Sequence, residues 1–295
     1  MNGKEVVIIG AGPSGIAAAI QLKRYNIEPL ILEKEEIGGL LKNANLVENY
    51  PGFPDGISGL ELIELFKKQV ENSGVNVQIE EVLELDYEKG EFYIKTDKRV
   101  LTSSIAVIAS GTKPRKLTDL RVTPDIDKRI FYEVYPLIQV ENQKIAIIGC
   151  GDAAFDYALN LSKRNQVIIL NRGEKEKCLP LLWERAKEIK NISYEKDTQV
   201  KEIIPQGQGL RLVCQNHSGE CEMDISCLVI AIGRDPNLDF LSENLKGKLV
   251  KLQSSKALFI IGDVKNGLYR QTGIATGEGI KNAMEIKMKI SGEDS

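Results

Sequence analysis

Two glycine-rich turns, each placed between a strand-like and a helix-like run, constrain what this chain can fold into. Each follows four consecutive apolar residues, and the two differ at their last position: Gly10-x-Gly12-x-x-Gly15 and Gly149-x-Gly151-x-x-Ala154. In βαβ dinucleotide sites, such turns bring backbone N–H groups and a helix N-terminus to a pyrophosphate. One motif alone is weak evidence. Two motifs in the same context predict an α/β fold with two Rossmann-like dinucleotide-binding domains.

The residue that follows the second strand of each motif distinguishes the two predicted sites. Twenty-three residues beyond the first glycine, the motifs reach Glu33 and Arg172. A carboxylate at this position accepts hydrogen bonds from a ribose diol and repels a 2′-phosphate. A guanidinium instead attracts the phosphate. The sequence therefore predicts two different dinucleotides in one chain, which is an arrangement suited to moving electrons between them.

Composition limits the class of protein. The chain has 295 residues, 42% hydrophobic and 27% charged, with a net charge of −3, which is typical of a globular protein of about two domains. The acidic balance argues against nucleic acid as a partner. No apolar run approaches the roughly 18–20 residues that a membrane-spanning helix needs. The first strand begins within five residues of the start, so we expect no signal peptide, no membrane partner and a cytoplasmic location.

The cysteines and the single histidine do not have the spacing of a metal site. His217 lies in a turn-like stretch and is expected to be exposed. The five cysteines contain no CxxC pair; they are Cys150, Cys178, Cys214, Cys221 and Cys227. This pattern argues against zinc and predicts half-buried thiols in a reducing compartment. Cys150 is the exception, because it lies inside the second glycine turn.

Hydrophobic periodicity predicts the elements of the first half of the chain. Residues 4–33 form strand, helix and strand, followed by a loop that contains Gly38 and Gly39. Residues 58–72 have helical periodicity, and short alternating runs over 75–101 predict a small antiparallel sheet. A continuous apolar strand over 105–110 then ends at Gly111.

The second half repeats this order. Residues 144–171 form strand, glycine turn, helix and strand, and a hairpin is predicted over 209–226. A strand over 227–232 ends at Gly233, as the first-half strand ends at Gly111. The chain then returns through a short strand and a helix that begins after Thr272. The predicted architecture is three-layered, ββα and βαβ, with one domain inserted into the other.

Together these motifs resemble the low-molecular-weight thioredoxin reductase-like flavoproteins of the pyridine nucleotide-disulfide oxidoreductase superfamily. The resemblance also rests on Glu48-Asn49-Tyr50-Pro51-Gly52 and on Gly262-Asp263, which Arg270-Gln271 follows. It implies FAD and NADPH (or NADH) as cofactors, and a homodimer. The FAD-binding domain would comprise residues 1–115 and 236–295, and the NAD(P)H-binding domain residues 116–235.

The resemblance also assigns site residues. Asp263 would hold the ribityl chain, Asn49 the polar edge on the flavin side, and the helix after Gln271 would face the flavin pyrimidine, where its N-terminus favours negative charge. The full set of expected cofactor-binding residues is Gly10, Gly12, Gly15, Glu33, Gly39, Asn49, Gly111, Gly149, Gly151, Ala154, Arg172, Gly233, Gly262, Asp263, Arg270 and Gln271.

The chain departs from the family where the redox disulfide belongs. The family has a CxxC whose second cysteine lies fourteen residues before the first glycine of the second motif, and here that position is Tyr135. Tyr132 occupies the first cysteine position. A dithiol relay cannot pass through tyrosines. Because they occupy the positions of the family's disulfide, we expect Tyr132 and Tyr135 to lie over the flavin, where they would block it, stack on it or shape a pocket. The alternative is that they are core or hinge aromatics.

The sequence thus predicts an FAD-dependent oxidoreductase that passes electrons from NAD(P)H to a small molecule or small redox protein, without the CxxC mechanism. Three alternatives stay open. One is a ferredoxin- or flavodoxin-NADP reductase-like enzyme, and another is thiol–disulfide exchange through Cys150. The third is a non-catalytic FAD-binding redox sensor or complex subunit.

Overall fold

The computed structural model describes residues 3–117 and 124–293. Within these ranges the chain forms two compact units. The first contains residues 1–42, 47–113 and 235–295, and the second contains residues 43–46 and 114–234. The bounds of both units include a few residues outside the described ranges, namely 1–2, 118–123 and 294–295.

The strands follow one another along the chain as β1 (Gly3–Ile9), β2 (Leu30–Glu33), β3 (Asn76–Ile79), β4 (Val82–Glu88), β5 (Glu91–Thr96), β6 (Val100–Ile108), β7 (Thr112–Pro114), β8 (Ile130–Phe131), β9 (Lys144–Ile148), β10 (Gln166–Leu170), β11 (Ile192–Glu195), β12 (Gln199–Gln206), β13 (Gly209–Asn216), β14 (Gly219–Ile225), β15 (Cys227–Ile230), β16 (Arg234–Pro236) and β17 (Leu258–Ile260). The α-helices are α1 (Pro13–Arg24), α2 (Gly59–Asn72), α3 (Pro124–Asp127), α4 (Asp152–Leu161), α5 (Pro180–Glu188), α6 (Glu243–Lys246), α7 (Leu249–Ser254) and α8 (Thr272–Ser291). Short 3-10 helices cover Gly39–Asn43, Tyr135–Leu137 and Gly262–Val264.

The first unit is built on one mixed sheet in the order β3-β2-β1-β6-β5-β4, with β17 also paired to β6. Strands β3, β2, β1, β6 and β17 are parallel, and β4 and β5 form an antiparallel extension. The order 3-2-1-4 of the parallel part is that of a Rossmann half. Apolar side chains on both faces of β1 are buried, as a sheet covered on both sides requires.

The predicted antiparallel sheet over 75–101 is confirmed over β4, β5 and the start of β6, and is wrong at its first strand. Residues 76–79 form β3, which extends the parallel sheet by pairing Leu30 with Asn76. Residues 100–108 form a single strand, because β6 pairs with β1 over nearly its whole length while its first half also pairs with β5. Short alternating runs show that strands are present, but they do not show which strands pair.

The second unit repeats the parallel order as β11-β10-β9-β15-β8. A separate antiparallel sheet, β12-β13-β14, includes the predicted hairpin, and His217 lies exposed in its turn. Phe155 on α4, Trp183 on α5 and Tyr194 on β11 pack edge to face or tilted, with ring centroids 5.0–5.9 Å apart. This aromatic contact fixes both helices against the sheet.

Residues 43–46 are bound to the second unit, although the sequence analysis assigned them to a loop of the first domain. The Asn45 amide donates to Asp156 Oδ2 at 2.9 Å, and Lys163 Nζ donates to Asn45 Oδ1 at 2.6 Å. The Tyr135 amide donates to Asn43 Oδ1 at 3.0 Å. Burial raises the pKa of Asp156 to about 6, against the opposing effect of the Asn45 amide and Lys163.

None of the helices in the described ranges combines the length and apolar character that crossing a bilayer requires.

Candidate dinucleotide sites

Two glycines of the first turn are needed for packing of the chain itself. A Cβ on Gly10 would lie 2.4 Å from the Ala109 carbonyl oxygen, and Gly10 has a φ of +108°. A Cβ on Gly15 would lie 2.0 Å from the Gly10 carbonyl oxygen. These two residues let the turn lie against the end of β6 and let α1 lie against the turn.

No contact within the described part of the chain requires a glycine at position 12. Its φ of −77° and ψ of −179° are open to any residue. In the part of the chain that the structure describes, no atom beyond its chain neighbours lies within 4 Å of the Cβ that a substitution would add. Gly12 also precedes α1, whose N-terminus is capped by no side chain. An open space in front of free helix N–H groups fits the pyrophosphate of a dinucleotide.

The second turn has the same two kinds of glycine. A Cβ on Gly149, whose φ is +144°, would lie 2.3 Å from the Ala231 carbonyl oxygen. Gly151 has a φ of −94°, and no other part of the described structure lies within 4 Å of its added Cβ. It precedes α4, which again has no side-chain cap. Ala154 is fully buried where the first turn has Gly15, so this helix leaves room for a methyl group.

Glu33 lies beside the first turn. It is the last residue of β2 and is buried, with one carboxylate oxygen 2.7 Å from the Ala11 amide and the other 3.0 Å from the Glu35 amide. A buried carboxylate held by two backbone donors keeps lone pairs for a further donor, as a ribose diol provides. Gly39 closes the same region, since its added Cβ would lie 3.3 Å from Gly12 Cα.

The strand register puts Asn171, not Arg172, in the place that corresponds to Glu33. Gly10 donates to the Leu32 carbonyl at 2.8 Å, and Gly149 donates to the Leu170 carbonyl at 3.1 Å. The residue after each carbonyl is therefore equivalent. Arg172 is the next residue and is exposed. A count from the glycine overshoots by one because the second unit has one residue fewer between its turn and its strand end.

Asn171 shapes the loop that carries Arg172, Lys175 and Lys177. Its amide nitrogen donates to the Lys175 carbonyl at 2.9 Å and to the Tyr194 hydroxyl at 2.7 Å. Its amide oxygen accepts from the Gly173 amide at 3.0 Å. The Lys177 amide then donates to the Cys150 carbonyl at 2.8 Å, which returns the loop to the glycine turn. The loop that bears Arg172 is therefore tied at both ends.

The segment with Asp263 is fixed by a residue that the sequence analysis missed. Gly262 has a φ of +76°, its added Cβ would lie 2.5 Å from Ser14 Oγ, and its amide donates to Glu278 Oε2 at 2.6 Å. The neighbouring Gly279 contacts the Ser14 carbonyl, 2.3 Å from its added Cβ. Glu278 and Gly279 lie on one turn of α8. Through them this turn contacts both the start of α1 and the segment that carries the half-buried Asp263. No sequence pattern marks Glu278, because its partner lies sixteen residues away.

Two other predicted residues of the first unit meet each other. Asn49 Nδ2 donates to Gln271 Oε1 at 2.8 Å, and Gln271 is the residue before α8. Arg270 is half-buried beside it, and no side chain caps this helix.

Gly111 and Gly233 follow β6 and β15 in the left-handed region, with φ of +64° and +113°. Their carbonyls accept from the Asn237 and Arg115 amides, both at 3.0 Å. In the structure these two glycines hold the segments where the chain leaves each sheet.

The predicted tyrosines have different surroundings. Tyr132 is half-buried against the apolar cluster that includes Leu210 and Leu212. Tyr135 is 41% exposed. Between them, Glu133 accepts from Asn43 Nδ2 and from Arg234 Nη2, each at 3.2 Å. The carboxylate between the two rings therefore helps to hold this segment.

Two α/β units with the strand order of a Rossmann half, each with a glycine turn that borders open space, define a protein of the two-dinucleotide α/β class. A family model described as pyridine nucleotide-disulphide oxidoreductase matches residues 4–279. The chain belongs to that family. Among its relatives, the thioredoxin reductase of Streptomyces coelicolor is 32% identical over 306 residues, which cover 96% of this chain and 93% of the relative.

Two further comparisons agree with this assignment. The thioredoxin reductase of Borreliella burgdorferi is 28% identical over 305 residues, which cover 96% of this chain and 91% of the relative. The crystal structure of Lactococcus lactis thioredoxin reductase superposes with a TM-score of 0.86 at 27% identity, covering 98% and 99% of the two chains. The predicted resemblance and fold class are confirmed. Thioredoxin reductases of this family use FAD and NADPH, in agreement with the predicted cofactors.

A matched pair of substitutions tests whether the open glycine serves a ligand. Gly12→Ala should leave the free energy of unfolding of the apoprotein within about 1 kcal/mol of wild type, because its Cβ meets no atom among the described residues. It should weaken FAD binding by at least about tenfold, or ~1.4 kcal/mol. Gly10→Ala should instead destabilise the fold by roughly 2–4 kcal/mol through overlap and positive φ. Denaturant unfolding and FAD titration separate the two effects; equal FAD affinity in Gly12→Ala and wild type would contradict this account.

Proposed function

We propose that this chain is an FAD-dependent oxidoreductase that takes electrons from NAD(P)H and passes them to an acceptor without a CxxC relay. The observation that carries the proposal is the repeated open turn: Gly12 and Gly151 both precede uncapped helices and face open space. Two such turns in two units are what a protein with two bound dinucleotides needs. The family assignment supports the pyridine nucleotide and flavin chemistry.

In the first unit, the N–H groups at the start of α1 would bind the FAD pyrophosphate, and Glu33 would accept from the adenosine ribose. Asp263, held in place by the Gly262–Glu278 hydrogen bond, would accept from the ribityl hydroxyls. When bound, the flavin supplies hydride acceptance and electron transfer. The N-terminus of α8, after Gln271, would stabilise negative charge on the flavin pyrimidine by roughly 0.3–1 kcal/mol.

In the second unit, the N–H groups at the start of α4 would bind the NAD(P)H pyrophosphate. Arg172 would contact a 2′-phosphate from the loop that Asn171 ties down, with Lys175 and Lys177 in the same loop. Asn171 is neutral, so the residue that corresponds to Glu33 does not repel a phosphate there. This difference favours NADPH over NADH.

The segment 132–135 would border the acceptor site in place of the family's thiols. The family's dithiol step has no counterpart here, because no two cysteines have CxxC spacing. The acceptor would be a small molecule or a small redox protein that reacts directly with the reduced cofactor. The homodimer and the cytoplasmic location stay predictions, which sedimentation and fractionation can test.

Anaerobic titration of the FAD-loaded protein tests the proposed function. We expect NADPH to bleach the flavin absorbance, and an added acceptor such as a quinone to restore it, because both cofactors share one chain. Bleaching by neither NADPH nor NADH would contradict the proposal and favour a non-catalytic FAD-binding module, or a protein reduced by ferredoxin. Restoration only when a disulfide of a partner is present, and its loss in Cys150→Ser, would favour thiol–disulfide exchange.

Arg172→Ala should raise the KM for NADPH about tenfold to a hundredfold, the equivalent of a lost charge-assisted hydrogen bond of about 1.5–3 kcal/mol. The KM for NADH should not change, since NADH has no 2′-phosphate. Asn171→Ala is the contrasting variant. Because it removes the hydrogen bonds that hold the loop, it should raise the KM for NADPH and the KM for NADH. Steady-state reduction kinetics with each nucleotide give the answer. If Arg172→Ala changed the KM for NADPH and the KM for NADH equally, this would contradict a contact between Arg172 and the 2′-phosphate.

Tyr135→Ala should change the flavin spectrum or lower acceptor turnover, since this ring is the more exposed of the two. Tyr132→Ala should mainly lower thermal stability, because its ring packs against the apolar cluster with Leu210. Absorbance spectra, turnover and melting temperature of both single variants and the double variant separate these effects. If the double variant keeps the wild-type spectrum and turnover, neither ring lies at the flavin.

A further inference from the structure

The β13–β14 hairpin of the second unit has two cysteines directly opposite each other. In its antiparallel register Cys214 pairs with Cys221. Opposed residues in such a ladder have Cα atoms about 4.5 or 5.5 Å apart, depending on their hydrogen bonding. Disulfides bridge Cα separations of about 4.4–6.8 Å. Because opposed side chains lie on the same face of a sheet, both thiols are on one side of the hairpin, and both are free.

The two thiols differ in their surroundings. Cys214 is fully buried, and burial, with Cys221 beside it, raises the pKa of its thiol to about 11. Cys221 is half-buried, and Asn216 Nδ2 donates to its sulfur at 3.6 Å. Because Cys221 is the less buried of the two, it is the thiol that an oxidant reaches first, and Cys214 is the thiol that resolves the mixed disulfide.

We propose that Cys214 and Cys221 form a reactive dithiol that low-molecular-weight disulfides oxidise to a cross-strand disulfide. The Cys221 thiolate attacks one sulfur of the oxidant R–S–S–R, forming a mixed disulfide and releasing RS⁻. Cys214 loses its proton to solvent and attacks Cys221 Sγ, which expels the second RS⁻. Two electrons pass from the protein thiols to the oxidant, and two RSH are formed.

The other cysteines do not share this placement. Cys227 on β15 has Ile145 opposite it on β9. Cys150 and Cys178 lie in loops, and the isolated bridge there pairs their neighbours Gly151 and Lys177 rather than the cysteines themselves. The proposal needs neither FAD nor a nicotinamide, so it does not rest on the proposed function.

Peptide mapping of the full-length wild-type protein tests the proposal. The reduced protein is treated with glutathione disulfide, quenched in acid, alkylated and digested without reductant. Trypsin releases residues 212–234, which contain Cys214, Cys221 and Cys227. Further cleavage after Glu220 separates the first two cysteines, so the fragments stay joined only if a disulfide links them. We expect joined fragments, with alkylation of both cysteines reduced about tenfold or more, while alkylation of Cys227 is unchanged.

Two variants serve as controls. In Cys214→Ser, glutathione should stay on Cys221, because nothing resolves the mixed disulfide. In Cys227→Ser, the disulfide should form as in wild type. Below a pH of about 10, the closing step should accelerate about tenfold per pH unit, as the Cys214 thiolate becomes more abundant.

Three results would overturn the proposal. One is wild-type protein in which both thiols stay fully alkylatable. Another is a mixed disulfide on Cys221 that never closes. The third is a disulfide that forms with Cys227 instead. A closure rate that is the same at pH 7 and pH 9 would contradict Cys214 as the resolving thiol.

Discussion

Each unit depends on the close contact between a glycine turn and the end of the neighbouring parallel strand. Gly10 lies against the Ala109 carbonyl and Gly149 against the Ala231 carbonyl, each at a distance that excludes a side chain. This contact sets the height of the turn above the sheet. The following helix then starts with its N–H groups uncapped in front of an open space. The second glycine of each motif is free for a ligand because the first one fixes the backbone.

The two units differ at the end of the strand that follows the glycine-turn helix. In the first, Glu33 places a carboxyl group at the strand end, and two backbone amides donate to it. In the second, Asn171 occupies the equivalent position, and its hydrogen bonds shape the loop that carries Arg172, Lys175 and Lys177. The two units have the same strand order, but the second has the neutral Asn171 and a tethered loop with Arg172 where the first has Glu33. The electrostatic environment at this strand end therefore differs between the two units.

The parts of this account that follow from sequence are those with strong local signals. Glycine turns, the parallel strands beside them and the hairpin over 209–226 were predictable, because each has a turn or periodicity that local chemistry dictates. Strand pairing was not. Residues 76–79 join the parallel sheet, although their alternation alone favours a hairpin partner. The role of Glu278 and the binding of residues 43–46 to the second unit depend on contacts between distant residues, which no local pattern encodes.

The proposed electron transfer requires that the first unit binds a flavin adenine dinucleotide. This binding can be measured by the visible absorbance of the purified protein, before and after incubation with FAD and gel filtration. We expect a flavin band equivalent to about one FAD per chain, either as purified or after reconstitution. A folded protein that is colourless and stays colourless after incubation with FAD would contradict it.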